Sequence, residues 1–361
     1  MGVASSISSS EKSFPRKGMP KAMFVALGLV LLVEIVLHIM PGDWLLGYGP
    51  GLGSYYDVLH TLQTRGPAQV SVLGTSRGRE SIVQPLLREM VRERLGKEIT
   101  VANYSLAGAH ADEMHRVARL MFAGAEKPEI VLYFVSPKMI KADPPDHQRL
   151  GILGVFPDVL GGRIGQILAA QSEEPLWRLR QWLDGHYYTF RYRHRIRWTL
   201  TAWARGRRPE SAVQGDFTTW QRYGGDRSLA THPVSAERID TYASQLMNGS
   251  GVYCVGEDQL AAVAATAELC RTHGVPFVLL EAAISEDLQE HFPTGVTETF
   301  TNALQSTART VGVEVQTMSM VGADLDHTDF REQSHLNRQG GEKVTRALAD
   351  RFILPAIRLG E

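Results

Sequence analysis

Short apolar strands alternate with amphipathic helices in two blocks of this chain. This alternation favours a parallel sheet, because parallel strands need a long crossover between them, which is usually a helix. The predicted strands are residues 69–73, 100–104, 129–135, 276–280 and 313–317, and the predicted helices are 79–95, 111–122, 261–272, 297–311 and 338–352. Pro85 indicates either a kink in the first of these helices or a later start of it. The pattern predicts an α/β fold with a flavodoxin-like parallel sheet in three α/β/α layers.

One apolar segment of membrane-spanning length, residues 22–40, precedes the first block. About 20 apolar residues are enough to cross the hydrocarbon core of a bilayer. The basic residues Lys12, Arg16, Lys17 and Lys21 precede this segment, whereas residues 41–64 contain no Lys or Arg. This asymmetry predicts a single transmembrane helix with a cytoplasmic tail, residues 1–21, and a periplasmic or otherwise extracytoplasmic main domain. A cleaved signal peptide is the alternative, although the sequence from Pro41 makes a poor cleavage site.

Two ionisable residues inside the apolar segment, Glu34 and His38, are four positions apart and therefore share one helix face. Ionisable groups within a membrane usually face protein or water rather than lipid. One interpretation is that they form a docking face for an integral membrane protein partner. The other is that His38 lies at the membrane interface and that Glu34 is protonated or extends towards the headgroups.

Residues 41–67 form a connector, and the main domain, residues 68–361, contains an insert at about 138–251 that is predicted to be helical. Between residues 177 and 208 the insert carries nine arginines with eight aromatic residues among them. This composition suits anionic lipid headgroups or an acidic glycan. The alternative is a helical lid with a solvated basic face. Nucleic acid is not an expected partner, because the predicted location is outside the cytoplasm and the formal net charge is -1.

Two short segments carry the candidate chemistry. Ser76 lies in Gly74-Thr75-Ser76-Arg77-Gly78, directly after the first predicted strand, and His335 lies in a predicted loop before the last helix. A serine at a strand-to-helix turn is brought to the carboxyl edge of a sheet, where unpaired backbone N–H groups can face an oxyanion. A histidine from the far end of the chain can act as its base. The alternative is that Ser76 is only a helix N-cap and His335 only a loop histidine, with Asn337 capping the last helix.

The order of these segments resembles that of the SGNH (GDSL-like) hydrolase superfamily, in which the nucleophile follows the first strand and an acid-x-x-His motif precedes the last helix. The membrane-anchored form is similar to the accessory proteins of surface-polymer O-acylation and D-alanylation. The resemblance covers roughly residues 70–135 and 276–352. Gly-x-Ser-x-Gly is also the nucleophile elbow of α/β-hydrolases, but that elbow follows several strands, whereas Ser76 follows the first.

The resemblance implies that Ser76 is the nucleophile and His335 the base. Glu332 stands where the family has the acid partner, normally an aspartate, and Asp329 is a possible replacement. Thr75 stands where the family has the aspartate of Gly-Asp-Ser, which is not essential to the chemistry. An acid and a histidine on one tight loop can supply both the base and its orienting group without long-range positioning.

The resemblance also implies an oxyanion hole. Gly108, in the block 103–108, corresponds to a glycine whose N–H is an oxyanion donor. The family's next block, Gly-x-Asn, is replaced here by Phe134-Val135-Ser136-Pro137, so that Ser136 or Asn103 would have to substitute for the missing asparagine.

The predicted function is that of a membrane-anchored serine esterase or O-acyltransferase, acting on a cell-surface glycan or lipid-linked substrate through an acyl-enzyme. Neither a cofactor nor a metal is expected. The alternative is a catalytically degenerate SGNH-like subunit with a structural or accessory role in a membrane protein complex. The missing asparagine and the glutamate at position 332 favour that alternative.

Overall fold

Five parallel strands form the central sheet of this protein in a computed structural model. The structure describes residues 65–106, 108–142, 236–247, 251–332 and 334–359, together with 25, 28–33, 35, 58, 61 and 62. The strands are β1 (Val70–Leu73), β2 (Val101–Asn103), β3 (Ile130–Val135), β4 (Phe277–Glu281) and β5 (Val315–Gln316). Their spatial order is β2-β1-β3-β4-β5, and all neighbours pair in parallel. The predicted α/β fold with a parallel sheet is confirmed, and the order is that of flavodoxin-like sheets.

Helices cover both faces of this sheet. They are α1 (Ser76–Ser81), α2 (Gln84–Leu95), α3 (Ala111–Met121), α4 (Ala236–Ser244), α5 (Glu257–Thr272), α6 (Glu286–Glu290), α7 (Val296–Thr310), α8 (Arg338–Leu348) and α9 (Leu354–Leu359), with a π-helical turn, Ala349–Ile353, between the last two. Side chains of α3, α5 and α7 share one hydrophobic cluster, and those of α2, α8 and α9 share another. The helices therefore form two outer layers with the sheet between them.

The strand β3 shows why this chain forms a two-sided core. All of its residues are buried. Val131, Tyr133 and Val135 belong to one cluster, and Ile130, Leu132 and Phe134 belong to the other. Alternate residues of a strand point to opposite faces, so a central parallel strand that is covered on both faces reads as a continuous apolar run.

The predicted helix 79–95 is two helices. α1 ends at Ser81, and Pro85 lies in the first turn of α2, where a missing N–H costs little. Between the two helices, the Val83 N–H donates to Thr345 Oγ1 at 2.8 Å. The later start that Pro85 indicated is therefore confirmed, while the residues before it form a separate short helix.

The two ends of the predicted insert meet at the carboxyl end of β3. The Ala142 N–H donates to the Cys254 carbonyl at 2.8 Å, and the Gly256 N–H donates to the Ile140 carbonyl at 2.9 Å. The Tyr253 hydroxyl also donates to the Pro137 carbonyl at 2.9 Å. Of the predicted helical insert, the structure describes residues 138–142, 236–247 and 251, which include α4, and residues 143–235 and 248–250 lie outside it.

Most of the predicted tail, transmembrane segment and connector, residues 1–67, lies outside the described residues, as do Glu34 and His38. The described residues between 25 and 35 are helical, and the apolar side chains among them are exposed. Within the part of the chain that the structure describes, no helix has the length and apolar character needed to cross a membrane.

Candidate active site

Ser76 and His335 are in hydrogen-bond contact, although 259 positions separate them in the sequence. The distance from Ser76 Oγ to His335 Nε2 is 2.7 Å. The other ring nitrogen, Nδ1, lies 2.9 Å from Ser334 Oγ. A neutral ring with its proton on Nδ1 donates to Ser334 and accepts the Ser76 hydroxyl proton at Nε2. This is the arrangement that a serine nucleophile needs from its base.

The turn between β1 and α1 presents the Ser76 hydroxyl. Gly74 has a φ of 153°, and a Cβ at this position would lie 3.0 Å from the Phe134 carbonyl oxygen, so glycine lets the turn pass close to β3. Thr75 is the N-cap residue of α1, since its hydroxyl accepts a backbone N–H of the first turn. The alternative interpretation of Ser76 as the N-cap is therefore wrong, and its hydroxyl bonds to His335 instead.

A short antiparallel ribbon, rather than the predicted loop, carries His335. The ribbon consists of β6 (Phe330–Glu332) and β7 (His335–Leu336), and Glu332 pairs with His335 in its register. The Glu332 side chain lies outside what the structure describes, so its role as the acid partner stays a prediction. Asn337 caps α8 as expected, because its side chain accepts the Gly340 N–H at 3.0 Å.

Asp329 is completely buried just before the ribbon, and one of its carboxylate oxygens has hydrogen-bond partners while the other, Oδ1, has none among the described residues. Its Oδ2 accepts the Asp326 N–H at 2.8 Å and a proton of the Lys343 ammonium at 2.7 Å. This hydrogen bond raises the pKa of Lys343 above its ordinary value. Asp329 thereby closes a capping box with Asp326 and anchors the turn before β6 to α8. Among the described residues, Asp329 makes no hydrogen bond to His335, so its role as a replacement acid stays a prediction.

Replacement of Lys343 by methionine is expected to lower the free energy of unfolding by about 1–3 kcal/mol, because the Asp329 carboxylate would stay buried beside an apolar side chain. The Lys343 side chain is 35% exposed, so the loss should stay below that of fully buried pairs. Urea unfolding measures the difference. The matched control is Arg338→Met, which breaks an exposed pair with Glu342 on the same helix and should cost only about 0.5 kcal/mol. Equal losses in the two variants would show that Asp329–Lys343 is no more than a surface pair.

The backbone N–H groups of Ser76 and Gly108, in the turns at this sheet edge, are the predicted oxyanion donors. Gly108 has a φ of 74° in a turn that the Ala109 N–H closes onto the Leu106 carbonyl at 3.1 Å. The Leu106 N–H donates to the Gly74 carbonyl at 2.9 Å and so ties this turn to the nucleophile turn. Among the described residues, neither the Gly108 N–H nor the Ser76 N–H has a hydrogen-bond partner.

Asn103 and Ser136, the predicted substitutes for the missing asparagine, lie at the ends of the strands that flank β1. The Asn103 amide donates to the Gly78 and Arg79 carbonyls at 3.1 and 3.2 Å, and its oxygen accepts the Ser105 N–H. Both of its donor hydrogens therefore hold α1 in place. Ser136 is buried, and its hydroxyl has no hydrogen-bond partner within the described part of the chain. Of the two, Ser136 keeps the donor that an oxyanion would need.

Sequence reasoning missed Arg77 and Ser334. Arg77 follows the candidate nucleophile, is 6% exposed, and donates from Nε to the Ser334 carbonyl at 3.0 Å. Its guanidinium carbon lies 5.1 Å from the centre of the Tyr242 ring. The only signal in the sequence was adjacency, since each residue is the chain neighbour of a candidate catalytic residue. A contact across 257 positions leaves no local pattern.

A groove of about 1020 Å³ opens beside the ribbon, at the carboxyl ends of β4 and β5. Its lining includes Phe330 of β6 and the carboxylates of Glu281, Glu286, Asp287, Asp324 and Asp326. Burial raises the pKa of the Glu281 carboxyl. The remaining acidic residues of the lining disfavour an anionic ligand in this groove. The arginine-rich residues 177–208, for which an acidic glycan or anionic lipid was predicted, lie outside the described residues.

Across the described ranges, no group of three or more His, Cys, Asp or Glu side chains is arranged to hold a metal ion. A scan against models of known protein families finds none that matches this chain, and a search of curated proteins finds no similar sequence. The resemblance to SGNH hydrolases therefore depends on the motifs and their order in the chain.

Proposed function

We propose that this protein is a membrane-anchored SGNH-like serine esterase or O-acyltransferase that acts on a cell-surface glycan or a lipid-linked substrate. The observation that carries the proposal is the 2.7 Å contact between Ser76 Oγ and His335 Nε2. Ser76 follows β1, and the strand order reverses between β1 and β3. In open α/β sheets, ligands bind outside the carboxyl ends of the strands at such a switch point. A serine–histidine pair at that edge supports a catalytic site.

The proposed reaction proceeds through an acyl-enzyme. Ser76 Oγ attacks the carbonyl carbon of an ester while His335 Nε2 takes the hydroxyl proton. The negative charge on the carbonyl oxygen is stabilised by the Ser76 and Gly108 N–H groups. His335 then returns the proton to the leaving alcohol as the ester bond breaks. In the second half, water or a sugar hydroxyl attacks the acyl carbon and gives its proton to His335; the bond from the acyl carbon to Ser76 Oγ breaks, and His335 returns the proton to Ser76.

Glu332 is the proposed orienting acid for His335. Its support is the ribbon register, which places the two residues opposite each other across β6 and β7. Directly paired residues of an antiparallel ribbon are close neighbours. A carboxylate near Nδ1 would stabilise the imidazolium that forms when His335 takes the proton, in addition to the contact with Ser334.

The proposed location is the outer face of a membrane, with the N-terminus in the cytoplasm. The apolar segment 22–40 and the basic tail before it support this location. The exposed apolar side chains of the helical residues between 25 and 35 also support it, because such a surface is unfavourable in water. The ends of the basic insert join the domain at the carboxyl end of β3, beside the nucleophile turn, which suits a role in holding a surface polymer or lipid.

Labelling with a fluorophosphonate tests the proposed function. The sample is the full-length protein, extracted gently in detergent with any partners, beside Ser76→Ala and His335→Ala. Wild-type protein should be labelled and both variants should not. Ser105→Ala is the matched control, since its hydroxyl is buried without a hydrogen-bond partner in the described part of the chain, and it should still be labelled. A folded wild-type protein that retains its partners and is not labelled would contradict the proposal.

The second candidate function is an accessory subunit of a membrane protein complex that keeps the fold without catalysis. The Asn103 amide favours it, because its donor hydrogens are used on the Gly78 and Arg79 carbonyls and cannot replace the oxyanion donor of the missing asparagine. In this case Ser76→Ala would assemble with membrane partners and support cell function normally. Loss of cell function in a Ser76→Ala protein that assembles normally would exclude it.

A further inference from the structure

Arg77 joins the helix that carries the nucleophile to the ribbon that carries the base. We propose that Arg77 is a positioning residue, which fixes His335 against Ser76 by holding the backbone of Ser334. This inference rests on the proposed function, since it assigns a role within the same serine–histidine site. Arg77 does not touch the reacting atoms in this proposal, so its effect passes through Ser334 and His335.

Three hydrogen-bond contacts and one peptide bond form a closed loop through the candidate site. Arg77 Nε donates to the Ser334 carbonyl at 3.0 Å, and both residues are buried. Ser334 Oγ lies 2.9 Å from His335 Nδ1, and His335 Nε2 lies 2.7 Å from Ser76 Oγ. The peptide bond between Ser76 and Arg77 completes the loop. Any shift of His335 relative to Ser76 therefore has to strain at least one of these contacts.

The chemistry of a guanidinium suits this role. Hydrogen bonds from charged donors are shorter and stronger than neutral ones, and the planar guanidinium holds its N–H groups in fixed directions. Tyr242 of α4 adds a second restraint, because the Arg77 guanidinium carbon lies 5.1 Å from its ring centre. Cations bind favourably over aromatic faces at this distance. The Tyr242 ring therefore restrains the group that holds Ser334.

A second connection between α1 and the ribbon supplies a matched control. Arg331 of β6 forms a 3.2 Å ion pair with the buried Glu80 of α1. Both connections stabilise the same two elements, but only Arg77 acts on the residue next to His335. A merely structural role predicts similar effects of Arg77 and Arg331 on activity, whereas positioning predicts a larger effect of Arg77.

The first test is kinetic and uses hydrolysis of p-nitrophenyl acetate by the full-length protein. Arg77→Lys should lower kcat by roughly 10- to 100-fold with little change in KM, because a base that is misplaced by about 1 Å loses rate on this scale. Arg331→Ala should keep kcat within about threefold, as expected of a variant that leaves the reacting geometry intact.

Methylguanidinium should partly restore the rate of Arg77→Ala. Tyr242→Phe should behave as wild type, and Tyr242→Leu should resemble Arg77→Lys.

The second test does not depend on catalysis. Mass spectrometry follows the carbethoxylation of His335 by diethyl pyrocarbonate, which should be faster in Arg77→Lys than in wild type and unchanged in Arg331→Ala. A wild-type protein that hydrolyses no ester would contradict the proposed function, while faster modification in Arg77→Lys would still show that Arg77 holds the base. Folded Arg77→Lys protein with wild-type kcat and wild-type modification of His335 would overturn the inference.

Discussion

Ser76→Ala and His335→Ala are each expected to lower kcat for ester hydrolysis by at least roughly 10³-fold, and the double variant should be no slower than either one. The reason is that the hydroxyl and the imidazole act as a unit: the 2.7 Å contact lets His335 take the proton that Ser76 must lose. Once either group is removed, the other has no chemistry left to contribute. Steady-state hydrolysis of p-nitrophenyl acetate measures this, with protein that retains its wild-type melting temperature.

The matched control for the base is His291→Ala. His291 lies at the end of α6, is exposed, and contacts the Asp287 carbonyl through Nδ1, so its removal should leave kcat unchanged. Independent losses that multiply in the double variant would contradict a shared mechanism. Retention of full activity in Ser76→Ala would place the nucleophile elsewhere in the chain.

Gly340→Ala is expected to lower the free energy of unfolding by about 1–3 kcal/mol, as overpacked core substitutions do. A Cβ at Gly340 would clash with the Asp329 carbonyl oxygen and lie 2.8 Å from Leu336 Cδ2. The carbonyl cannot move easily, because it also accepts the Asn337 N–H at 2.8 Å. The new methyl group should therefore displace the start of α8 from the ribbon. Urea unfolding measures the loss of stability.

Displacement of the ribbon should also slow fluorophosphonate labelling, because Leu336 is the chain neighbour of His335 and pairs with Phe330. Gly124→Ala is the control, since a Cβ at that exposed turn would meet no atom within 4 Å. It should change neither stability nor labelling. A Gly340→Ala protein as stable as Gly124→Ala would show that α8 and the turn before β6 adjust without cost.

Local sequence patterns were enough to locate the sheet and most of the helices. The run 129–135 became Ile130–Val135, and the helix 111–122 became Ala111–Met121. The strand is buried on both faces and the helix on one broad face. Their apolar residues therefore form an uninterrupted pattern that the sequence shows. The predicted edge strand 313–317 is shorter in the structure, Val315–Gln316. The predicted helix 79–95 is interrupted between Ser81 and Gln84, because Pro85 prevents a continuous helix.

By itself, the sequence determined the strand–helix alternation and the positions of Ser76 after the first strand and of His335 before the last long helix. Both follow from local composition, which controls where strands, turns and helices begin and end. Only the tertiary structure decided that a ribbon carries His335, that Ser334 faces its Nδ1, and that Arg77 holds Ser334. The physical reason is that these contacts join residues far apart in the chain or lie in strands too short to show a period. Their energies depend on packing that no local pattern records.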